Sequence, residues 1–299
     1  MSSHKSLAAH YVEQMQHHPH GYAIYEPVSG TDLRPGSCGF FDDSGGWTTI
    51  AQLDDIESLK RAGFEPPPPL EEAHDKVIRS WHPKCSSGVS AADLDLGIGV
   101  PETLQLPASV QAALKYTSSS DFGAILMTDS PIEKKGYLDK SPFNDWVRDN
   151  SRQLLQKREM EIKEHGLWII RWTYSTSKAS INAWAGTNKN VVVGFQVSTF
   201  GTAFGPKGEW HRGHADSSWD DYVPKESTDK LVVFAGVLRY RYSKHFWTDA
   251  QLQEGKKKKA PTRSSQPTDG PIPLDGPNAK DALVCEEIGA DDESEDDED

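Results

Sequence analysis

The sequence predicts a β-rich fold with one long helix and a disordered C-terminal tail. Residues 142–164 repeat apolar side chains at helical spacing. Residues 166–242 are rich in the β-branched and aromatic side chains that strands prefer. From residue 248 onward the composition turns to lysine, proline, serine and acidic residues, which bury too little apolar surface to fold.

The C-terminal tail accounts for most of the polarity and charge of the chain. Only 36% of the 299 residues are hydrophobic, and ten acidic residues without a basic one lie between Glu286 and Asp299. Without these ten charges the net charge changes from −13 to −3. The remaining body is therefore nearly neutral and lacks the broad basic surface that binding to nucleic acid requires.

Cysteine usage and hydropathy indicate a cytoplasmic protein. The chain has three widely spaced cysteines, which argue for a reducing compartment and against a disulfide framework. The first twenty residues contain no apolar run of the secretory type. No stretch of about 18 consecutive apolar residues is present, so we expect membrane entry only through strands or at the surface.

The N-terminal region is predicted to combine a polar arm with a rigid proline segment. Residues 1–20 form a polar, partly helical arm whose histidines are expected to be exposed: His17, His18 and His20. Residues 66–69 are four consecutive prolines, which favour a stiff polyproline helix. This segment is either a ligand for an SH3-type domain or a rigid loop, and the absence of a basic flank favours the loop.

Two helices and one short strand are predicted between these segments and residue 166. Residues 54–62 form a short helix that begins with aspartate and ends before Gly63. Residues 122–127 form a short apolar strand. Residues 142–164 form the long helix, with Ser141 as its cap and a proline in the first turn.

The clearest strand signals follow Gly166. Residues 167–185 form a long strand and residues 190–200 alternate apolar and polar side chains, so we predict a β-hairpin between them. Residues 231–242 are apolar on both faces, as in a central strand. A strand of about 9–11 residues can cross a bilayer, and one face of the second hairpin strand is a candidate inserting face: Val191, Val193, Phe195 and Val197. Periodicity alone does not distinguish a protein core from lipid as the destination of that face.

The sequence contains no recognisable enzymatic motif. It has no nucleophile elbow, phosphate-binding loop or His-Glu-x-x-His pair. His211, His214 and Asp216 have a spacing that can bind a metal, but solvated loop histidines are the favoured interpretation. We therefore expect no catalytic residues, no metal and no cofactor.

Basic residues occur in small local groups. Two groups are candidate contacts for anionic lipid, at about 1 kcal/mol per residue near the membrane surface: Lys134 and Lys135, and the polar face of the long helix with Arg148, Arg152, Lys157, Arg158 and Lys163. A third group, in the tail, comprises Lys256, Lys257, Lys258 and Lys259.

The order of segments between residues 20 and 245 resembles the pore-forming domain of gasdermins. The likeness rests on LWIIRWTYSTSKASINAW after a helix, a polar middle segment, and the apolar strand LVVFAGVLRYRY. The stretch HGYAIYEPVSGTDLRPGSCGFFDDSGGW, with SPFNDWVR and HGLWII, is similar to fungal gasdermin-like cell-death regulators of the heterokaryon-incompatibility type.

This resemblance implies an α+β fold over residues 21–247, with a twisted, largely antiparallel sheet and surrounding helices. An arm (1–20) would precede it and a disordered, acidic, autoinhibitory tail (248–299) would follow. It further implies a cytoplasmic resting form that binds acidic phospholipids of the plasma membrane or another cellular membrane. Copies of the chain, or the chain and a variant homologue, would assemble into a ring and insert β-hairpins, causing regulated cell death.

Two routes of activation are compatible with the resemblance. The tail is too short and polar to fold as the helical repressor domain of animal gasdermins. Either a protease cuts the tail, with residues 256–259 as the candidate region, or a variant partner triggers co-assembly. The alternative to a pore is a soluble module that recognises a glycan or a peptide, favoured by nine tryptophans, among them Trp47, Trp210 and Trp219 in predicted loops.

Overall fold

The computed structural model describes residues 6–79, 81–94, 112–186, 190–195, 210–213, 219–244, 271–274 and 281–289. Its helices are α1 (Leu7–Met15), α2 (Ile56–Ala62) and α3 (Ser141–His165). Its strands are β1 (Tyr22–Ser29), β2 (Ser37–Phe41), β3 (Trp47–Gln52), β4 (Lys76–Ile78), β5 (Lys84–Cys85), β6 (Val89–Leu94), β7 (Ala112–Ser118), β8 (Phe122–Thr128), β9 (Ile132–Gly136), β10 (Leu167–Thr176), β11 (Ala179–Ala185), β12 (Asn190–Phe195), β13 (Trp210–Gly213), β14 (Trp219–Tyr222), β15 (Leu231–Ser243), β16 (Ile272–Pro273) and β17 (Ala282–Ile288). No helix within these ranges is both long and apolar enough to cross a membrane.

A nine-stranded antiparallel sheet, the main sheet, is built around β10 and β15. These two strands pair with each other from Leu167 opposite Tyr240 to Thr176 opposite Leu231. The other edge of β15 is shared by β1 along its first part and β17 along its second. The other edge of β10 is shared in the same way by β2 and β9.

Three glycines allow β1 and β17 to meet end to end on β15. Gly21 precedes β1, Gly289 follows β17, and Gly236 of β15 lies between them. A Cβ on Gly289 would overlap the backbone of Gly21, and one on Gly236 would overlap the ring of Trp172. Glycine is therefore required where the first and last strands of the main sheet converge.

Helices and loops cover both faces of the β10–β15 pair, because successive side chains of a strand point to opposite faces. One face packs under α2 and α3, with these core residues: Phe143, Trp146, Leu154, Ile169 and Leu238. The opposite face holds a second cluster: Phe41, Trp168, Ile170, Ala235 and Val237.

Several sequence predictions are confirmed. The long helix is α3, the short helix is α2, and the central strand is β15. Asp55 caps α2 by accepting a hydrogen bond from the Ser58 amide, and Gly63 ends it in the left-handed conformation. Ser141 is not the cap of α3; Lys140 holds that position without a side-chain bond.

The predicted hairpin between residues 167–185 and 190–200 is wrong. Residues 167–185 form two strands, β10 and β11, that belong to different sheets. β12 does not pair with either; it pairs with β7 and β13. The partner strand β7 lies in a distant part of the chain, so local alternation gave no sign of the pairing.

The prediction of a disordered tail over residues 248–299 is wrong for residues 281–289. They form β17, which pairs with β15 from Ile288 opposite Val237 to Ala282 opposite Ser243. The acidic composition made this strand look disordered. Its carboxylates are instead part of the fold, because they neutralise cationic side chains of the main sheet. Glu286, for example, lies 3.3 Å from Arg239 and 2.8 Å from Arg241.

Glu287 closes a buried ion pair at a bulge of the main sheet. The pairing register of β10 shifts at Arg171, which lies between Ile170 and Trp172. A bulge re-aims its side chain, and the Arg171 guanidinium lies 2.8 Å from Glu287, with side-chain exposures of 9% and 10%. Lys140 adds a second cation, 2.9 Å from the same carboxylate.

Removing this carboxylate should destabilise the fold strongly. Glu287→Gln leaves the buried Arg171 guanidinium without its counter-charge, so we expect the free energy of unfolding to fall by about 3–5 kcal/mol. Urea denaturation measures the change. The matched control is Glu286→Gln in the same strand, whose more exposed partners predict a loss of about 1 kcal/mol or less. Equal losses for the two variants would contradict this assignment.

Candidate functional site

Two four-stranded sheets outside the main sheet form one continuous ribbon. Their strand orders are β14-β11-β8-β5 and β13-β12-β7-β6. Each strand of one sheet is followed or preceded along the chain by the corresponding strand of the other, so the sheets are two halves of a single antiparallel structure. We call it the hairpin ribbon, with an inner half (β14-β11-β8-β5) and an outer half (β13-β12-β7-β6).

The two central strands of the hairpin ribbon keep one register through both halves. In the outer half Thr117 pairs with Asn190. In the inner half Phe122 pairs with Ala185. Phe122 is five residues after Thr117, and Ala185 is five residues before Asn190. The register is therefore the same in both halves: residues 112–117 pair with 190–195 and residues 122–128 with 179–185.

The first residue of β7 and the last residue of β12 lie at the same end of the outer half. Residues 95–111 connect β6 to β7, and residues 196–209 connect β12 to β13. Because Ala112 pairs with Phe195, both connections leave the ribbon at the same end. The outer half thus consists of two neighbouring antiparallel strand pairs, β6 with β7 and β12 with β13.

The outer half is folded back over the inner half. One hydrophobic cluster contains side chains of both: Tyr116, Val191 and Val193 from the outer half, and Ile125, Met127 and Trp184 from the inner half. The opposite face of the inner half packs on α1 and the main sheet through Phe122, Ala124, Leu126 and Ile181. The inner half is therefore buried on both faces.

Serine side chains stabilise the connection between β7 and β8, which we call the hinge (residues 118–122). The Oγ atoms of Ser118 and Ser120 donate to the carbonyl of Phe122 at 2.9 and 2.6 Å. Ser119 Oγ donates to the Gly88 carbonyl at 2.9 Å. These hydroxyls bond to carbonyl groups at the point where the chain passes from β7 to β8.

The N-terminal region fastens the edge of the inner half to the main sheet. The Ser87 amide donates to the Gln14 carbonyl at 2.8 Å, and the Nε2 atom of His18 lies 2.8 Å from the Cys85 carbonyl. His20 packs against Trp81, with ring centroids 4.3 Å apart. We call Gln14, His18 and His20 the latch. The sequence prediction of an exposed arm is wrong here, because Tyr11 and Met15 of α1 are fully buried and both latch histidines are half-buried.

Burial keeps both latch histidines uncharged at neutral pH. Burial, followed by electrostatic interaction with the neighbouring His17, lowers the pKa of His18 from 6.5 to about 4. Burial, followed by the positive charge of Lys84, lowers the pKa of His20 from 6.5 to about 3. Lys84 also lowers the pKa of His18. His18 and Lys134 lower the pKa of His20 further.

The structure places the predicted inserting residues in the outer half. Val191 and Val193 are buried in the cluster between the two halves. Only the backbone of Phe195 is described, at the end of β12, and Val197 lies outside the described residues. Sequence reasoning missed the partner side chains Leu114 and Tyr116 on β7. Their alternation with Lys115 and Thr117 was the available signal.

The structure places the predicted lipid-contacting residues of α3 at the surface among acidic neighbours. Arg148 pairs with Asp145, Arg158 with Glu161 and Lys163 with Glu159. Lys157 lies over the Phe64 ring at 4.8 Å, and Arg152 is exposed. The exposed face of α3 therefore mixes both signs of charge.

The other predicted basic residues lie far apart along the chain. Lys134 and Lys135 belong to β9 of the main sheet. Lys134 lies over the Trp172 ring at 5.2 Å, and Lys135 is 3.5 Å from Asp75. Lys256, Lys257, Lys258 and Lys259 lie outside the described residues.

The residues that suggested metal or glycan binding do not form a site in the described part of the chain. His211 belongs to β13 by its backbone, and His214 and Asp216 lie outside the described residues. Trp47 is half-buried and packs on Phe41 at 4.8 Å. Trp219 packs against the cluster within the ribbon, and the side chain of Trp210 is not described.

Comparisons with known proteins give a likeness among solved structures but none by sequence. No family model and no curated protein matches the sequence. Among solved structures, the chain is similar to a bacterial gasdermin from Bradyrhizobium tropiciagri, with 12% identity and a TM-score of 0.31 over 79% of this chain and 87% of that one. A likeness with so low a TM-score does not establish the function of this chain.

The latch predicts a fold that weakens in mild acid. Below about pH 6.5 an unfolded histidine takes up a proton, whereas the folded latch histidines remain neutral. The unfolded state then binds more protons, so the free energy of unfolding should fall by about 1 kcal/mol per latch histidine between pH 7 and 5.5. Urea denaturation at a series of pH values measures this slope.

Substitution distinguishes the latch from other acid effects. His18→Gln and His20→Gln should flatten the slope between pH 7 and 5.5. His17→Gln removes an exposed histidine of the same segment and should change the slope less. An unchanged slope in the His18→Gln, His20→Gln double variant would refute this origin of the acid sensitivity.

Proposed function

We propose that this protein forms membrane pores, with the hairpin ribbon as the inserting element. The observation that carries the proposal is the common register of two paired stretches, 112–117 with 190–195 and 122–128 with 179–185. A bilayer-spanning strand needs about 9–11 residues, so residues 112–128 and 179–195, once straight, would each be long enough to cross. The segment order that resembles gasdermins, given above, leads to the same proposal.

Straightening the hinge would sort the ribbon side chains by polarity. In the folded ribbon, one cluster joins Tyr116 with Ile125, which lie an odd number of residues apart and would occupy opposite faces of a straight strand. In a straight pair with the same register, one face would carry the following apolar residues: Leu114, Tyr116, Phe122, Ala124, Leu126, Ile181, Ala183, Val191 and Val193. The opposite face would carry Lys115, Thr117, Ser180 and Asn182, together with the apolar residues Ile125, Met127, Trp184 and Val192.

An apolar face opposite a polar face is the pattern of a strand between lipid and water. The polar hinge positions, with Ser118 and Ser120 on the apolar face, would then lie at the membrane surface. We infer that the outer half and the connecting segments beyond it enter the bilayer, which agrees with the predicted inserting residues Val191 and Val193. Assembly of several copies into a closed ring would satisfy the strand edges that lipid cannot hydrogen-bond.

Acidic phospholipid is the proposed membrane ligand. The candidate contacts are Lys134, Lys135 and the basic residues of α3. Because Arg148, Arg158 and Lys163 already pair with acidic neighbours, each of these three would contribute less than the roughly 1 kcal/mol of a free cation. Release of β17 would free a further cation, because Glu286 would no longer face Arg241.

The tail is the proposed control element, and β17 defines how cleavage acts. A cut within residues 256–259 leaves β17 paired with β15 and leaves Glu287 bound to Arg171. Cleavage alone would therefore not release the fragment; the fragment must also dissociate. Co-assembly with a variant homologue that displaces β17 is the second proposed route, and both routes act on the same edge of β15.

A leakage assay with controlled cleavage tests the proposal. Residues 256–259 are replaced by the recognition sequence of a site-specific protease, and dye release is measured from vesicles containing cardiolipin or a phosphoinositide. We expect leakage from the cut protein, and little from the uncut protein or from neutral phosphatidylcholine vesicles. No leakage from the cut protein, alone or mixed with a sequence variant, would count decisively against a pore.

A matched pair of lysine substitutions tests the inserting face. Leu114 and Thr117 are both half-buried in β7, and they fall on opposite faces of a straight strand. Leu114→Lys should reduce leakage at least about tenfold, because a lysine facing mid-bilayer lipid costs about 2–4 kcal/mol. Thr117→Lys places the same charge on the polar face and should leak normally. Melting curves of both resting proteins control for folding, and equal loss of leakage in both variants would contradict the assigned face.

A further inference from the structure

Residues 64–73 have the burial pattern of a polyproline II helix lying on the protein surface. Positions 64, 67, 70 and 73 are buried or half-buried, and the six positions between them are all exposed. A repeat of three matches the three residues per turn of this helix, which at about 3.1 Å per residue would span about 28 Å. One edge of the helix faces the protein and two edges face solvent.

Both ends of this segment are fixed to the folded body. Phe64 packs on Trp146, with ring centroids 5.6 Å apart, and Leu70 packs against the same core. The Glu65 carbonyl accepts from Trp146 Nε1 at 2.8 Å. The Leu138 amide donates to the Glu71 carbonyl at 3.0 Å. The segment is therefore held in its extended form before any partner binds.

The central prolines present the groups that polyproline-binding domains use. Pro66 and Pro69 lie on one exposed edge, and Pro68 lies on the other. No residue in the described ranges donates a hydrogen bond to the carbonyl of any of the four prolines. Rings on two edges and free carbonyls suit an aromatic-lined groove, which gains affinity because the ligand is already ordered.

Acidic residues at both ends specify the charge of the partner. Glu65 precedes the prolines, and Glu71 and Glu72 follow them, all three exposed. The stretch from residue 64 to 73 contains no basic residue. A groove bordered by lysine or arginine would therefore be electrostatically complementary to it.

We propose that residues 65–72 are a docking site for a protein domain that binds polyproline II helices in an aromatic groove with a basic border. This interaction is independent of membrane insertion, because the segment belongs to the main body and not to the hairpin ribbon. The sequence alone favoured a rigid loop; the three-residue burial repeat and the free proline carbonyls favour a ligand.

Binding of the full-length chain to a panel of purified SH3, WW and EVH1 domains tests the site. We expect at least one domain with a basic border to bind with a Kd below about 100 µM. The Pro66→Ala, Pro69→Ala double variant should bind that domain about tenfold more weakly. The proposal is overturned if no domain of the panel binds with a Kd below about 100 µM, or if the double variant binds with unchanged affinity.

Charge reversal provides the test that does not depend on the proline backbone. Glu71→Lys with Glu72→Lys should weaken binding about tenfold at low salt, because both side chains are exposed beside the groove. Glu57→Lys in α2 reverses a carboxylate that is 82% exposed but lies outside the segment, and should leave the affinity within about twofold. Equal weakening by both changes would show a general charge effect and overturn the site. Melting temperatures of all variants control for folding.

Discussion

The pairing of β15 on both edges is the constraint on which the rest of the structure depends. β10 occupies one edge, and β1 and β17 divide the other at Gly236. The first and last strands of the described fold are thus paired with the same strand, and β17 also pairs with β16. This arrangement explains why an acidic segment near the C-terminus is folded. It completes an edge that would otherwise be bare, and it supplies the counter-charge for Arg171.

Hydrogen bonding divides the molecule into a well-satisfied part and a poorly satisfied part. Under α3, buried polar groups are paired, as with Trp146 and Asn150 on Glu65. Most of the buried polar side-chain atoms without a hydrogen-bond partner in the described residues lie in the ribbon or beside it, among them Tyr11 Oη, Trp81 Nε1, Tyr116 Oη, Thr128 Oγ1, Asn182 Nδ2 and Trp184 Nε1. Two such atoms, Trp172 Nε1 and Arg239 Nε, belong to the main sheet. Each such atom costs about 1–3 kcal/mol. The ribbon is therefore the region expected to open at the lowest free energy, while the main sheet stays intact.

The sequence predicted local elements well and long-range pairing poorly. α3 and β15 carry strong periodic or apolar signals of their own, and Asp55 with Gly63 marks both ends of α2. The predicted hairpin failed because residues 167–185 look like one strand, although the chain changes sheets near residue 177. The prediction of a disordered tail failed because composition describes the average of a segment, and β17 is a short strand within a polar stretch. The proposed inserting face was only partly named from the sequence, since Val191 and Val193 were predicted while Leu114 and Tyr116 on the partner strand were not.

The constant register of the two central ribbon strands has a kinetic consequence. In the proposed conversion these strands would straighten without exchanging partners, so their ladder bonds need not break and contribute little to the activation barrier. The edge strands differ. Lys84 pairs with Leu126 in the inner half, whereas Val89 pairs with Ser118 in the outer half, so the two pairings are offset by three residues. Straightening would force this edge strand to slip, and the rate of conversion would then be set at the rim of the ribbon.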